Sequence, residues 1–161
     1  MKHQGTKVLE TGCLRLRPFK IEDAKGMYNN WSSDPKVTQY LRLPISKNLR
    51  TTRRMIENWI SRYSEDNWYH WAIVLKSEGD EPIGSITVAD QNDRLEMVHM
   101  AYCIGRKWWD QGITTEALGI LIEFFFKKVG VNRIESQHDV RNIGSGKVDG
   151  EMWLEIRRDK A

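Results

Sequence analysis

Two apolar rhythms alternate along this chain, one with a period of two and one near 3.6 residues, and each changeover marks the border of a predicted element. Leu14-Arg15-Leu16-Arg17 alternates apolar and basic side chains as a half-buried strand does, and Pro18 closes it. Residues 21–31 form a predicted short helix, with Glu22 and Asp23 favourable in its first turn and Asp34-Pro35 as its stop. The following residues 35–45 are expected to be a loop. Ser46 and Asn48 are candidate N-caps for a second helix, on which Leu49, Ile56, Trp59, Ile60 and Tyr63 recur at helical spacing. Three strands are predicted next, at Trp71 to Leu75, Ile83 to Val88 and Leu95 to Ile104, separated by turn-rich segments that suit an antiparallel meander.

After Ile113 the rhythm returns to 3.6. Ala117, Ile120, Leu121, Phe124 and Phe125 share one helical face, and Gly130 after Lys127-Lys128 is a plausible C-terminal stop. Residues 132–138 are a predicted strand. After a crossover helix it runs parallel to the strand ending at Ile104. The fold class is therefore α+β in three layers: a mixed, mostly antiparallel central sheet with flanking helices. Two neighbouring parallel strands can splay apart, leaving main-chain groups for an extended ligand that adds itself as a pseudo-strand.

The stretch from Ala101 to Thr115 supplies the first chemistry. An apolar strand ends at Gly105, Arg106 and Lys107 follow, and Gly112 stands just ahead of the long helix. The first N–H groups of a helix lack internal partners and lie at the positive end of its dipole, so a pyrophosphate can be held there by main chain. Gly112 lets the backbone approach, Thr114 and Thr115 add hydroxyl donors, and the two cations offset charge.

Composition narrows the rest. The chain has 161 residues, 40% of them hydrophobic, which suits one domain spanning 1–161. Its 25 basic and 22 acidic side chains leave a net charge of +3, with no dense basic run to imply nucleic acid. Cys13 and Cys103 follow no metal-ligand spacing and are expected as buried free thiols, so no metal is implied and a reducing compartment fits. No segment reaches the roughly 18 uninterrupted apolar residues of a membrane span, and no apolar signal core appears. A cytoplasmic protein without membrane attachment is expected.

Taken together, several motifs in order resemble the GNAT superfamily of acyl-CoA-dependent N-acyltransferases, and within it the Rim-like branch of ribosomal-protein N-terminal acetyltransferases. They are Leu-Arg-Leu-Arg-Pro-Phe at 14–19, Pro-Ile-Gly at 82–84, the run from Ala101 to Ala117, Asn132-Arg133-Ile134-Glu135, and Asn142-Ile143-Gly144-Ser145. The resemblance implies acetyl-CoA in the splayed gap, its pantetheine arm along Tyr102, Cys103 and Ile104 and its pyrophosphate over Gln111, Gly112, Ile113, Thr114 and Thr115. Asn142 and Ser145 would meet it from the far side. The chain departs from the family's phosphate loop at Trp109, where Gln or Arg is preferred, and at Thr114, where Gly or Ala is preferred.

Acetyl transfer needs a neutral amine. An α-amino group of pKa near 7.7 to 8.0 is partly neutral at pH 7, whereas a lysine near 10.4 lies about 3.4 units away, roughly 4.6 kcal/mol. A protein or peptide N-terminal amine is the expected acceptor on that ground. Antibiotic amines, polyamines and a catalytically degenerate acyl-CoA binder are the alternatives. Where Rim-like relatives often place a Glu on the central strand, this chain has His99, whose ordinary pKa near 6.5 suits a general base. Glu96 is the second candidate. Relatives often use a Tyr to protonate the leaving thiolate; the corresponding position is about Asp149, so the resemblance points instead to the hydroxyl of Ser145. Trp31, Tyr40 and Trp71 are the candidates for the acceptor cleft, with Arg42, Trp59 and Tyr69 in the same segments, although aromatic residues there are more often core.

The resemblance stops after Val148. Relatives add two further strands, and 13 residues can supply one at most, with Met152 to Ile156 as the candidate. An apparently truncated C-terminus predicts an unpaired edge and uncovered apolar surface around Ile134, and hence a possible homodimer through that edge or the C-terminal segment.

Overall fold

The computed structural model describes residues 1–38, 48–139 and 151–157, with 137–139 and 151–154 described as backbone. Among them, seven strands lie side by side in the order in which the chain makes them. They are β1 (Leu9–Glu10), β2 (Leu14–Arg17), β3 (His70–Leu75), β4 (Pro82–Asn92), β5 (Met97–Ile104), β6 (Arg133–Asp139) and β7 (Glu151–Arg157). Every neighbouring pair is antiparallel except β5 and β6. That pair is parallel because the chain returns through a crossover helix, α4 (Ile113–Phe124), extended by a π-helical turn at Phe125–Val129.

The other face of the sheet carries α1 (Ala24–Met27), α2 (Pro35–Thr38) and α3 (Leu49–Ile60). A 3-10 turn at Ile21–Asp23 leads into α1 and a π-helical turn at Tyr28–Ser32 follows it, so residues 21–32 are helical throughout. Asn48 caps α3, its side chain accepting from the Thr51 N–H at 2.9 Å; Ser46 lies outside the described residues. Gly130 adopts a left-handed φ of 87° and ends the α4 helical run.

Side-chain alternation sorts the strands between the two layers. Tyr69, Trp71 and Ile73 join Val98, Met100, Tyr102 and Ile104 against Ala117, Leu121, Phe124 and Phe125. Ala72 and Cys103 face the opposite way and pack with Phe19, Met27, Trp31 and Ile56. The first cluster is a close aromatic lattice: Tyr69 lies 5.0 Å from Phe125 and Trp71 lies 5.9 Å from Phe124, both edge-on.

Several expectations change. Residues 35–38 are helical rather than loop, because Asp34 accepts from the Lys36 N–H at 3.0 Å and Pro35 occupies the first helical position. Arg17 is buried, not exposed on a half-wet strand. Its guanidinium binds both carboxylate oxygens of Asp23 at 2.8 Å and also reaches Asp80 at 3.1 Å. Asp23 is thus an ion-pair partner more than a helix-dipole residue. Cys13 is exposed, whereas Cys103 is buried. β4 runs four residues beyond the predicted Val88, across a bulge at Ala89.

The C-terminal expectation is corrected most. The single predicted strand exists as β7, but it pairs along the whole of β6, with Ile134 opposite Ile156. Ile134 is fully buried, held between β5 and β7. The uncovered surface at Ile134 is absent, and with it the basis for the expected assembly through β6.

Candidate active site

The parallel pairing of β5 with β6 starts at Met97 opposite Arg133 and stops at Ala101 opposite Gln137. Beyond that point β5 continues to Ile104 while β6 continues beside β7. The two strands part between Ala101 and Ile104. Gly105 N–H donates to Ile83 O at 2.8 Å, and strand alternation then turns the main chain of Cys103 toward β4 and that of Tyr102 and Ile104 toward the opening. Of the expected Tyr102–Cys103–Ile104 run, the main chain of Tyr102 and Ile104 therefore faces the opening and that of Cys103 does not. The Ile104 carbonyl already accepts from the Trp109 indole at 3.0 Å.

Strand β4 approaches β5 closely here. A Cβ on Gly84 would collide with the Cys103 carbonyl oxygen, so the Pro-Ile-Gly step is a packing requirement. Across the same row Ser85 Oγ lies 3.4 Å from Cys103 Sγ, and burial pushes the Cys103 thiol up to about 11. A neutral thiol is wall, not nucleophile.

Past Gly105, a 3-10 turn at Arg106–Trp108 leads into the start of α4. Gly112 has φ 73° and stands at the N-cap position with no capping side chain, and Asp110 is left-handed too, at φ 64°. The first intrahelical bond is Glu116 N–H to Gly112 O at 3.1 Å. The amides of Ile113, Thr114 and Thr115 therefore have no partner within the helix. They are the orphan donors that fit a diphosphate, in continuous sequence with the opened end of β5. Thr114 is buried, Thr115 is exposed, and Gln111 donates to Lys107 O at 3.2 Å. Of the two cations, Arg106 is tied to Asp34 at 3.0 Å, and Lys107 lies 5.2 Å over the Trp108 ring. Trp108 is buried and donates to Glu78 at 3.0 Å. Trp108 and Trp109, the latter at the position where the family prefers Gln or Arg, are structural pegs.

The first layer of helices covers a second feature. A cavity of about 290 Å³ is bounded by Met27, Trp31, Trp59, Trp68 and His70 above the strand positions Ser85, Thr87, Val88, Ala89 and Cys103. Its floor is two cross-strand rows, His70–Thr87 and Ala72–Ser85–Cys103, and the bulge at Ala89 forms one end. Because Cys103 belongs to the opened end of β5, this cavity adjoins the expected thioester position.

His99 lies on the same face of β5 as Cys103, two residues before Ala101, and is 91% buried. Its Nδ1 is 3.5 Å from Glu135 Oε2 on the neighbouring parallel strand, and Arg133 holds the other Glu135 oxygen at 3.3 Å. Glu96 lies before β5, at the end away from the opening. It binds the Met1 amino group at 3.4 Å and Asn132 at 3.1 Å. The structure does not bring it to the site.

The acceptor candidates divide. Trp31 lines the cavity, though only 2% exposed. Trp71 is fully buried on the opposite face, with its indole donating to Lys7 O at 2.6 Å, so it is core. Tyr69 packs there too, while Trp59 faces the cavity. Tyr40, Arg42, Asn142 and Ser145 lie outside the described residues. His70 and Trp68 were missed, although the alternation Tyr69-His70-Trp71-Ala72-Ile73 carries the signal: large apolar residues hold the odd positions, and the even ones turn the other way.

A mixed sheet with a parallel pair that parts, feeding a glycine-led helix N-terminus, defines a class of acyl-CoA-dependent transferases. The acetyltransferase (GNAT) domain model matches residues 14–150, and the chain belongs to that family. It is 32% identical over 145 residues to the uncharacterized N-acetyltransferase p20 of Bacillus licheniformis, covering 88% of this chain and 79% of that protein. It is 26% identical over 127 residues to the uncharacterized N-acetyltransferase YoaA of Bacillus subtilis, covering 79% and 71%. Among solved structures, the ribosomal-protein-S5-alanine acetyltransferase of Vibrio fischeri shares the fold with a TM-score of 0.68 at 15% identity, over 96% of this chain and 98% of that one. The protein is an acetyltransferase that uses acetyl-CoA as co-substrate for N-acetylation.

Proposed function

We propose that the acceptor is the α-amine of a protein or peptide N-terminus, acetylated by direct attack with His99 as general base. The observation that carries this reading is the cavity beside Cys103. Among the described residues it has no carboxylate to hold an ammonium, and it meets the sheet where β5 separates from β6. An uncharged, largely apolar wall desolvates the amine and favours its neutral form. That suits an amine of pKa near 8 far better than one near 10.4.

Acetyl-CoA supplies the activated acetyl thioester. Tyr102 and Ile104 offer main-chain groups along its arm, and the amides of Ile113 to Thr115 face its diphosphate. His99 stands on the same face of β5 as Cys103, two residues before the point where β5 and β6 part, and the amine proton reaches it through water. Glu135, at 3.5 Å from Nδ1, orients the ring and stabilises the imidazolium once the proton has moved. Asn142 and Ser145 remain the proposed contacts on the far side, with Ser145 as donor to the leaving sulfur.

The test is a panel of acceptors incubated with acetyl-CoA, with free thiol release as the readout. Peptides with a free N-terminus should release thiol faster than N-blocked lysine peptides, polyamines or aminoglycosides. Faster release with any of those would overturn the acceptor assignment, and CoA binding without thiol release from any acceptor would favour a non-catalytic acyl-CoA binder.

A further inference from the structure

The cavity beside Cys103 holds a polar group that the fold itself leaves unused. His70 is 95% buried, wedged 4.2 Å from the Trp59 ring and 5.1 Å from Phe19, and its Nδ1 has no hydrogen-bond partner. The Trp68 indole nitrogen, 5.7 Å away between ring centres, is also buried and unpartnered. An orphaned buried polar group destabilises a fold, so two of them on residues that wall one cavity are not explained by packing. By contrast, the nearby polar groups are spoken for. Thr87 donates to Tyr69 O at 2.7 Å, Ser85 sits against Cys103, and the His70 main chain is bound by Thr6 and Tyr63.

Size and charge limit what these groups can meet. A volume near 290 Å³ is the space of roughly ten water molecules in the liquid, enough for one amino-acid side chain with its amine. Three tryptophans and a methionine give an apolar, π-rich wall. No charged side chain lines the cavity among the described residues. Burial also holds the His70 ring neutral, with its pKa pushed down to about 3, so it presents one donor and one acceptor and no charge.

We propose that this cavity receives the side chain of the acceptor's first residue, and that His70, with the Trp68 indole, selects an uncharged side chain bearing a hydrogen-bonding group. His70 and Trp68 are thus specificity-determining residues. The proposal rests on the N-terminal-amine reading above and narrows its substrate class. A site built to bond a hydroxyl discriminates against the analogue that lacks it, because the buried partners are again left unpaired.

Calorimetry on the CoA-loaded protein, with tripeptide amides that differ only in the first residue, tests it. A Tyr-first peptide is expected to bind at least about tenfold more tightly than Phe-first, Asp-first or Lys-first peptides. In His70→Phe, which keeps a ring of similar shape, the Tyr-over-Phe ratio should fall toward one while CoA affinity is unchanged. Trp68→Phe, at a partly exposed position, removes the indole donor and keeps an aromatic ring beneath Arg62, and it should reduce the same ratio, so the test survives if His70→Phe fails to fold. Equal binding of charged-first and Tyr-first peptides, or a ratio preserved in Trp68→Phe and in folded His70→Phe, overturns the proposal. Thiol release is measured in parallel. Binding selectivity without turnover would overturn the acyl-transfer reading and leave the cavity's selectivity standing, whereas turnover with Lys-first peptides preferred would overturn the cavity proposal alone.

Discussion

The two faces of this sheet are built from alternate residues of the same strands, yet they do opposite things. On the α4 face, Tyr69, Trp71 and Ile73 interlock with Phe124, Phe125 and the even-numbered residues of β5. On the other, His70, Ser85, Thr87 and Cys103 look across a cavity toward Trp31 and Trp59. One face spends its aromatic residues on closing space and the other on framing it. The difference shows that aromatic content alone does not tell a filled face from one that frames a space. It also explains how the sheet tolerates a parting strand pair and a cavity at one end: the close-packed face keeps β3, β4 and β5 in register.

The sharpest way to break the comparison is Trp71→Ala on the filled face. It should lower unfolding free energy by about 3–5 kcal/mol in urea titration, since a fully buried Trp leaves a cavity and strands the Lys7 carbonyl it serves. A loss below about 1 kcal/mol would mean that this face is not the stabilising one. On the open face, His99→Ala should lower turnover about 10²-fold or more with CoA affinity unchanged, as expected for loss of a general base. A wild-type rate in that variant would return the role to solvent.

A smaller effect follows from His70. Its folded pKa of about 3 lies below the ordinary 6.5, so the unfolded chain binds the proton more readily. The neutral ring's contribution is fully present above pH 6.5 and is lost as pH falls toward 3, at up to about 1.4 kcal/mol per pH unit. His70→Phe should flatten that slope by up to one proton's worth when urea stability is measured from pH 6.5 to 4.5. The smallest is Gly112→Ala. At φ 73° it should cost about 1 kcal/mol or more of stability through backbone strain, and calorimetry should show weakened CoA binding at the reshaped helix start.

The dominant elements were legible from periodicity alone: α3, the α4 helix, and strands β2 to β6 occur close to their predicted places because burial on one face enforces a period of 2 or 3.6. The glycine-led start of α4 was legible for the same local reason, since capping and orphan amides are properties of a few consecutive residues. Long-range pairing was not. Arg17 looks like an exposed strand cation until Asp23 and Asp80 are brought to it, and Ile134 looks uncovered until β7 pairs along β6. The cavity beside Cys103 shows the limit most plainly. Sequence inspection favoured Trp71, yet its neighbour His70 lines the cavity, because a strand's side chains alternate and one step along the chain exchanges the two faces. Which residues alternate follows from local chain order; which layer received the odd set and which the even was set only when α4 covered one face and α1 and α3 the other, since that choice depends on the packing of segments distant in the chain.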